Sequence, residues 1–551
     1  MRVSTASVAF CVVGLAVGDD AAQRILNSDD RGYDEDPRVV SPDLDAFIED
    51  LMGEWHVPGV AVSIVDAEKT WAKGYGYAVL NSTPITPHTL FYTGSTTKSF
   101  TAAGISLLID NASAYNDLSW QTPVSSVLSD FVLSDEWATE HITLEDALSH
   151  RTGYPRHDFA STATTAEEMV RNLRNLPMTA EPRAKYQYSN KMFGVMGYLI
   201  ETLTGSWLGD FLREHLWEPM GMNETYFSLE DAEKSELLLA DEYYYDSDSA
   251  AFIQVPHEPW AAEEGAGSII STVLDYAKYL RTMMNEEAPM SKEGHRELKT
   301  PRSFSSMSNP PFLGPVTYAN GWNQGIFEGE RAFFHFGQVT MFVSIMIMVP
   351  SKHLAVTVMS NTESPLPELI AHHILYEHLG VPTAKRYDPN EKYKSDRKAQ
   401  HQYLKHCVEH IYPSVPDPPL LPTLPLSGHL GEYHDPGYGT LKIHLFCDDS
   451  DSTLLGHQGS NAEKCRLRVL GVGGAGFEYL NPVVYLEPKS GNFWVGREYL
   501  ELGKGKRTQT PFACMRAEFK VGITGSVTYF GLDVRMEGED GPLVWFERVR
   551  K

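Results

Sequence analysis

Phe91-Tyr92-Thr93-Gly94-Ser95-Thr96-Thr97-Lys98 leads into Ser99 to Asp110, a run of helix-compatible residues. With Ser95 at the start of that helix, Lys98 stands one turn on, on the same face. The serine then has a nearby amine to take its proton, which an isolated hydroxyl lacks. Its backbone N–H faces the place where an oxyanion would form, and the helix dipole adds to the attraction. S-x-x-K alone is weak, and Ser395-Asp396-Arg397-Lys398 matches it as well. That copy sits in a charged stretch with no strand or glycine before it, and is read as chance.

Two further segments set the first copy apart. Tyr186-Gln187-Tyr188-Ser189-Asn190 contains Y-x-N and opens the amphipathic run from Met192 to Leu203. Phe333-Phe334-His335-Phe336-Gly337-Gln338 contains H-x-G, just ahead of an apolar strand pattern at 341. The order is S-x-x-K, Y-x-N, H-x-G, with 93 residues from Ser95 to Tyr188 and 147 from Tyr188 to His335. In this the chain resembles the serine β-lactamase and D-peptidase superfamily, especially its class C β-lactamase-like esterase and D-aminopeptidase branch. Flanking segments extend the resemblance over residues 41–382. They are Ile142 to Pro155, with Leu148-Ser149-His150 and Gly153-Tyr154-Pro155; Trp217-Glu218-Pro219-Met220-Gly221-Met222; Gly265 to Thr272; and Gly321-Trp322.

The resemblance implies an α+β fold, with a β-lactamase/transpeptidase-like catalytic domain whose antiparallel sheet is flanked by helices. It implies that Ser95 is the acylated nucleophile and that Lys98 and Tyr188 share the acid and base work, Tyr188 serving in deacylation. Asn190 would position substrate. His335, Gly337 and Gln338 would form one wall of the cleft, the Gln338 N–H joining that of Ser95 as oxyanion donors. No cofactor and no metal is implied. A free lysine titrates near ~10.4, so Lys98 must be shifted down by roughly 2–3 units, or work with Tyr188, to act as a base near neutrality. Many relatives resemble one another in placing lysine where this chain has His335. A histidine with a pKa near ~6.5 is mostly neutral at pH 7, which weakens the case for anionic substrates in the cleft.

Composition narrows the partners. The 551 residues carry 46 Lys plus Arg against 73 Asp plus Glu, a net charge of −27. That balance argues against nucleic acid and anionic membranes, which need local positive charge. No apolar run reaches the roughly 18–20 residues of a membrane span. Residues 1–18 have a secretory pattern: Arg2, an apolar Ala6 to Val17, and Ala16-Val17-Gly18 before Asp19-Asp20. A short acidic leader, 19–40, follows. Sequons at Asn81, Asn111 and Asn223 fit export and glycosylation. Cys407, Cys447, Cys465 and Cys514 would remain after Cys11 leaves with the signal, and permit three pairings. One or two disulfides bracing the C-terminal part and a set of unpaired buried thiols are both open readings.

Periodicity supplies the organisation. Leu44, Phe47, Ile48, Leu51 and Met52 recur at helical spacing; Val60 to Val65 and Thr70 to Tyr77 read as a hairpin. Met341 to Val349 and Leu354 to Met359 read as a second strand pair, followed by a helix over Pro367 to Leu379. An antiparallel sheet built from both ends, with a helical insertion between, is the simplest architecture. Residues 383–425 form a linker, helix-compatible and then proline-rich, with six prolines between 413 and 425. Residues 426–551 show short strand patterns between Gly, Asp and Pro turns, pointing to a small barrel or sandwich. Leu426 to Gly439 resembles the opening strand and turn of a lipocalin-like barrel.

Together these features describe a secreted serine hydrolase acting through an acyl-enzyme on a small ester, amide or short peptide. An esterase or transesterase on small acyl esters comes first, and a D-amino-acid-selective aminopeptidase or amidase second. A non-catalytic binding or scaffold protein of the same fold is the reading from a different class. The set of Ser95, Lys98 and Tyr188 argues against it, since a scaffold has no use for all three.

Overall fold

Val60 to Val65 is apolar apart from Ser63, close to the pattern of a strand covered on both faces. In the computed structural model it is the centre of a sheet. The structure describes residues 42–550 apart from 116, 161–162, 248, 448–464, 473–481, 501–507, 509–510, 535 and 537–540. The expected signal segment, the leader and Cys11 lie outside the described residues.

Nine strands form one antiparallel sheet: β1 (Gly59–Asp66), β2 (Lys69–Val79), β3 (Thr83–Pro84), β4 (Ser303–Ser306), β5 (Val316–Tyr318), β6 (Asn323–Phe327), β7 (Glu330–Val339), β8 (Phe342–Val349) and β9 (Leu354–Ser360). Their order is β3-β2-β1-β9-β8-β7-β6-β5-β4. The N- and C-terminal halves therefore meet at β1 and β9, in register from Val60 opposite Ser360 to Asp66 opposite Leu354. Residue parity decides which side each side chain takes. Val60, Val62 and Ile64 pack with Ile345 and Ile347 under helices α1 (Pro42–Trp55) and, far along the chain, Leu366–His378. Ala61 and Val65 face the opposite way with Met346 and Met348, toward the helical insertion.

That insertion supplies α2 (Thr97–Asp110), α3 (Asn190–Thr204) and α4 (Val273–Asn285), all rich in fully buried residues. Beyond α5 (Leu366–His378) comes the long α6 (Asn390–Ile411), and the proline cluster that follows holds no helix or strand up to Pro425.

The C-terminal strand patterns close into an eight-stranded antiparallel barrel, from Gly431–Asp435 to Val544–Arg548. Tyr433 opposite Arg548 joins its first and last strands. Closure removes the two exposed edges that a sandwich would leave. The cysteines pair: Cys447–Cys465 links neighbouring barrel strands, and Cys407–Cys514 ties α6 to the barrel. The bridges thus staple the barrel to the preceding helix as well as internally. Barrel residues such as Tyr438 and Phe546 belong to the same apolar cluster as Leu173 and Leu176 of the insertion. Asn81, Asn111 and Asn223 are all exposed. Among the described residues no helix is long and apolar enough to cross a membrane.

Candidate active site

The nucleophile candidate sits on a single tight 3-10 turn, Gly94–Thr96, just before α2. Gly94 has φ +56°, and a Cβ there would come within 2.6 Å of the Gln338 nitrogen. Only glycine allows both the left-handed backbone and this approach. The turn is anchored by Thr96 Oγ1 donating to Thr93 O (2.9 Å) and Ser344 Oγ donating to the same carbonyl (2.7 Å). Thr93 in turn donates its N–H and its hydroxyl to Ile269 O, each at 2.9 Å.

Gly337 makes the strand's approach possible. A Cβ on it would stand 1.9 Å from Thr93 O and 2.4 Å from Ser344 Oγ. Gly337→Ala must therefore push β7 off the nucleophile turn. Displacement of an oxyanion donor by about 1 Å costs about 10²-fold in rate. Active-site labelling by a fluorophosphonate should slow by that factor, and wild-type labelling in this variant would disprove the close packing.

Ser95 Oγ is bracketed by two groups: Tyr188 Oη at 2.7 Å and Lys98 Nζ at 3.1 Å. Ser95 and Tyr188 are partly exposed, while Lys98 is fully buried beneath them. The lysine has two further partners, Asn190 Oδ1 at 2.7 Å and Ala266 O at 2.9 Å. Burial lowers its pKa well below the ordinary lysine value, and the Arg156 guanidinium lowers it further, against the opposing charges of Glu263 and Asp158. A neutral amine has two N–H groups and one lone pair. The Asn190 and Ala266 oxygens accept only, so an amine in the neutral form gives both hydrogens to them and keeps its lone pair for the Ser95 hydroxyl. Burial raises the Tyr188 phenol, so it keeps its proton and donates to Ser95 Oγ. Ser95 Oγ thus stands between an amine and a phenol, both within hydrogen-bond reach. Two titratable groups pushed in opposite directions separate acid and base roles. Burial thus pulls the two groups in opposite directions, Lys98 toward the neutral amine and Tyr188 toward the protonated phenol.

The remaining expected residues fall into place unequally. Asn190, the first residue of α3, uses its oxygen on Lys98 and its Nδ2 on Asp158 Oδ1 (3.3 Å). Its amide thus bridges the lysine and Asp158. Gln338 is exposed at the end of β7, and its side chain bonds Glu363. His335 lies inside the wall, not on its surface, at 3% exposure. Its Nδ1 donates to Phe336 O (2.6 Å), since a carbonyl only accepts, and its Nε2 accepts from Tyr318 Oη (2.8 Å). Burial, helped by Lys98, takes its pKa down to about 3. The ring is neutral, as expected, but both of its nitrogens are engaged within the protein.

A fixed positive charge does stand at the cleft, from a residue that sequence reasoning passed over. The Arg156 guanidinium lies 5.0 Å from the Tyr188 ring centre and pairs with Asp158 at 2.6 Å. Both are partly exposed. The two residues follow closely on the Gly153-Tyr154-Pro155 match. His150, within that match, is buried with φ +56°; its Nδ1 accepts the Ser189 N–H at 3.0 Å, and its ring lies 4.3 Å from that of Tyr188. Tyr243 to Tyr245 lie on a two-stranded hairpin, in which Tyr243 Oη accepts from Leu80 N (2.8 Å) and Tyr245 stacks on His56. Among the described residues no group of three His, Cys, Asp or Glu side chains could hold a metal ion.

Comparison with known proteins gives the family. The family model described as Beta-lactamase matches residues 44–379. The chain is 40% identical over 430 residues to the unguisins hydrolase ungD' of Aspergillus campestris, covering 75% of this chain and 80% of that one. It is 36% identical over 450 residues to the unguisins hydrolase ungD of Aspergillus violaceofuscus, covering 76% and 79%. An octameric penicillin-binding protein homologue from Pyrococcus abyssi superimposes with a TM-score of 0.56 at 23% identity, over 92% of this chain and 99% of that one. This last likeness is one of fold.

Proposed function

The chain belongs to the beta-lactamase family, and we propose that it hydrolyses acyl amides and esters through an acyl-enzyme on Ser95. The observation that carries this reading is the Ser95 hydroxyl held between a buried amine and a protonated phenol. Ser95 Oγ attacks the carbonyl carbon as its proton passes to Lys98 Nζ. The carbonyl oxygen becomes an oxyanion facing the N–H groups of Ser95 and Gln338, each donor worth about 10²–10³ in turnover. Tyr188 gives its proton to the departing nitrogen or oxygen and regains one from Lys98. Water then attacks the acyl carbon, its proton returns through the same pair, and the Ser95 hydroxyl is restored.

An acid poised at the leaving group matters most where the leaving group is poor. An amine must be protonated to depart, whereas p-nitrophenolate leaves unaided. The protonated Tyr188 therefore supports amide substrates as strongly as the esters favoured by sequence alone. The name of the two Aspergillus relatives adds unguisins to the substrates worth testing. The discriminating pair is p-nitrophenyl butyrate and butyryl p-nitroanilide, which share one acyl group. Tyr188→Phe should lower anilide turnover by about 10²–10⁴-fold and ester turnover by less. Equal losses on the two would remove the leaving-group role and return the reading to an esterase. Export completes the proposal, supported by the N-terminal pattern, the exposed sequons and the paired cysteines.

A further inference from the structure

The C-terminal barrel touches the catalytic part at His157, next in sequence to the Arg156 that lies over Tyr188. Its first turn, between strands Gly431–Asp435 and Gly439–Cys447, is shaped by Asp435 Oδ1, which accepts the N–H groups of Gly437 (2.8 Å) and Tyr438 (2.9 Å). The turn sits tightly on the insertion: a Cβ on Gly437 would meet Leu176 at 2.7 Å and Asn175 O at 2.9 Å, and Asn172 Nδ2 donates to Gly437 O at 2.9 Å. Tyr438 Oη lies 2.6 Å from His157 Nδ1, and both residues are buried. The other ring nitrogen, Nε2, is 2.9 Å from Pro177 O, which can only accept. Nε2 therefore carries the hydrogen, and the Tyr438 hydroxyl donates to Nδ1. The His157 N–H adds a bond to Met536 O of the barrel at 3.3 Å. His157 has φ +51°, a backbone state that a non-glycine residue holds only when its surroundings enforce it.

Its neighbours in sequence are the two charged residues of the cleft. Arg156 lies over Tyr188, and Asp158 bonds the Asn190 amide whose oxygen receives Lys98. We propose that the barrel is a positioning element of the catalytic centre. The Tyr438–His157 bond holds the Arg156–Asp158 pair in place, and through it the Lys98 amine and the Tyr188 ring. This rests on the acyl-enzyme reading above. Tyr438 and His157 are positioning residues and need touch no substrate.

The test is Tyr438→Phe in the full chain, with Tyr433→Phe as its counterpart. Tyr433 is also buried, and donates to His429 O (2.7 Å) inside the barrel, away from this contact. The readout is the rate of fluorophosphonate acylation across pH, alongside the thermal midpoint. The groups facing Lys98 are Tyr188, Arg156, Asp158, Glu263, His150 and His335. Of the charges among them Arg156 acts most strongly and disfavours the ammonium. Loosening it lets Lys98 protonate more readily, so acylation should be lost at higher pH. Tyr438→Phe should acylate about tenfold more slowly, with its acid limb raised by about half a pH unit. Tyr433→Phe should keep the wild-type rate and limb. An unchanged rate and limb in Tyr438→Phe, or the same change in both variants, would overturn the proposal while the wild type still labels. A wild type that does not label would overturn the acyl-enzyme reading itself.

Discussion

Ser95→Ala should reduce turnover by roughly 10⁴–10⁶-fold, the scale of losing a nucleophile from a catalytic set that acts as a unit. The loss should appear in kcat and in covalent labelling together, because no acyl-enzyme can form without Oγ. Intact mass spectrometry of the wild type with a fluorophosphonate should show one adduct, on the peptide carrying Ser95, and none in the variant. Ser95 is partly exposed and its hydroxyl bonds only reactive partners in the cleft. The alanine variant should therefore fold with a thermal midpoint near that of the wild type. Labelling that survives the substitution would place the chemistry elsewhere. The Ser395 copy of the motif is the natural control: it lies on α6, outside the constellation of Lys98, Tyr188 and Asn190. Ser395→Ala should change nothing.

Lys98→Met is the second large effect. The substitution keeps an unbranched side chain but removes the base, at an expected cost of about 10²–10⁴-fold in acylation. The signature lies in pH. The competent form of Lys98 is the neutral amine, so wild-type acylation falls on the acid side as the amine is protonated. Burial and Arg156 lower that pKa, which extends activity far below the ordinary lysine range. The variant should lack this limb. Stability carries the same signature with a defined sign. A lysine whose folded pKa is lowered binds its proton more readily in the unfolded chain. Its penalty is absent above the unfolded value near ~10.4, and grows as pH falls from there toward the folded pKa. Over that window wild-type stability should rise with pH relative to Lys98→Met. A constant difference between the two denaturation curves from pH 7 to 10 would mean that Lys98 is charged, and would shift the base work to another group.

The residue string made much of this visible. Val60 to Val65 with Thr70 to Tyr77 marks one hairpin and the apolar pair after His335 marks another, so the sheet built from both ends was readable. S-x-x-K, Y-x-N and H-x-G were readable because each is a short local pattern tied to a backbone event: a tight turn, a helix start, a strand. The proline cluster marked where helix and strand had to stop. What stayed hidden depends on contacts between distant residues. Arg156 and Asp158 look like any surface pair in sequence, and they matter because the chain brings them against Tyr188 and Asn190. His335 reads as a cleft residue because its motif is local, but the bond from Tyr318 that turns it inward comes from another strand.

The opening segment therefore named the candidate nucleophile and the amine, since three residues of spacing on a helix are enough to bring them together. Family, strand pairing and the barrel's short-strand character were also set at that level. The opposite pulls on Lys98 and Tyr188 emerged only in three dimensions. Protonation is a balance between burial and surrounding charge, and both arise only when Arg156, Asp158, Glu263 and the sheet close around the site. The same holds for the barrel: its turn at Tyr438 acquires a role only because folding places it against His157.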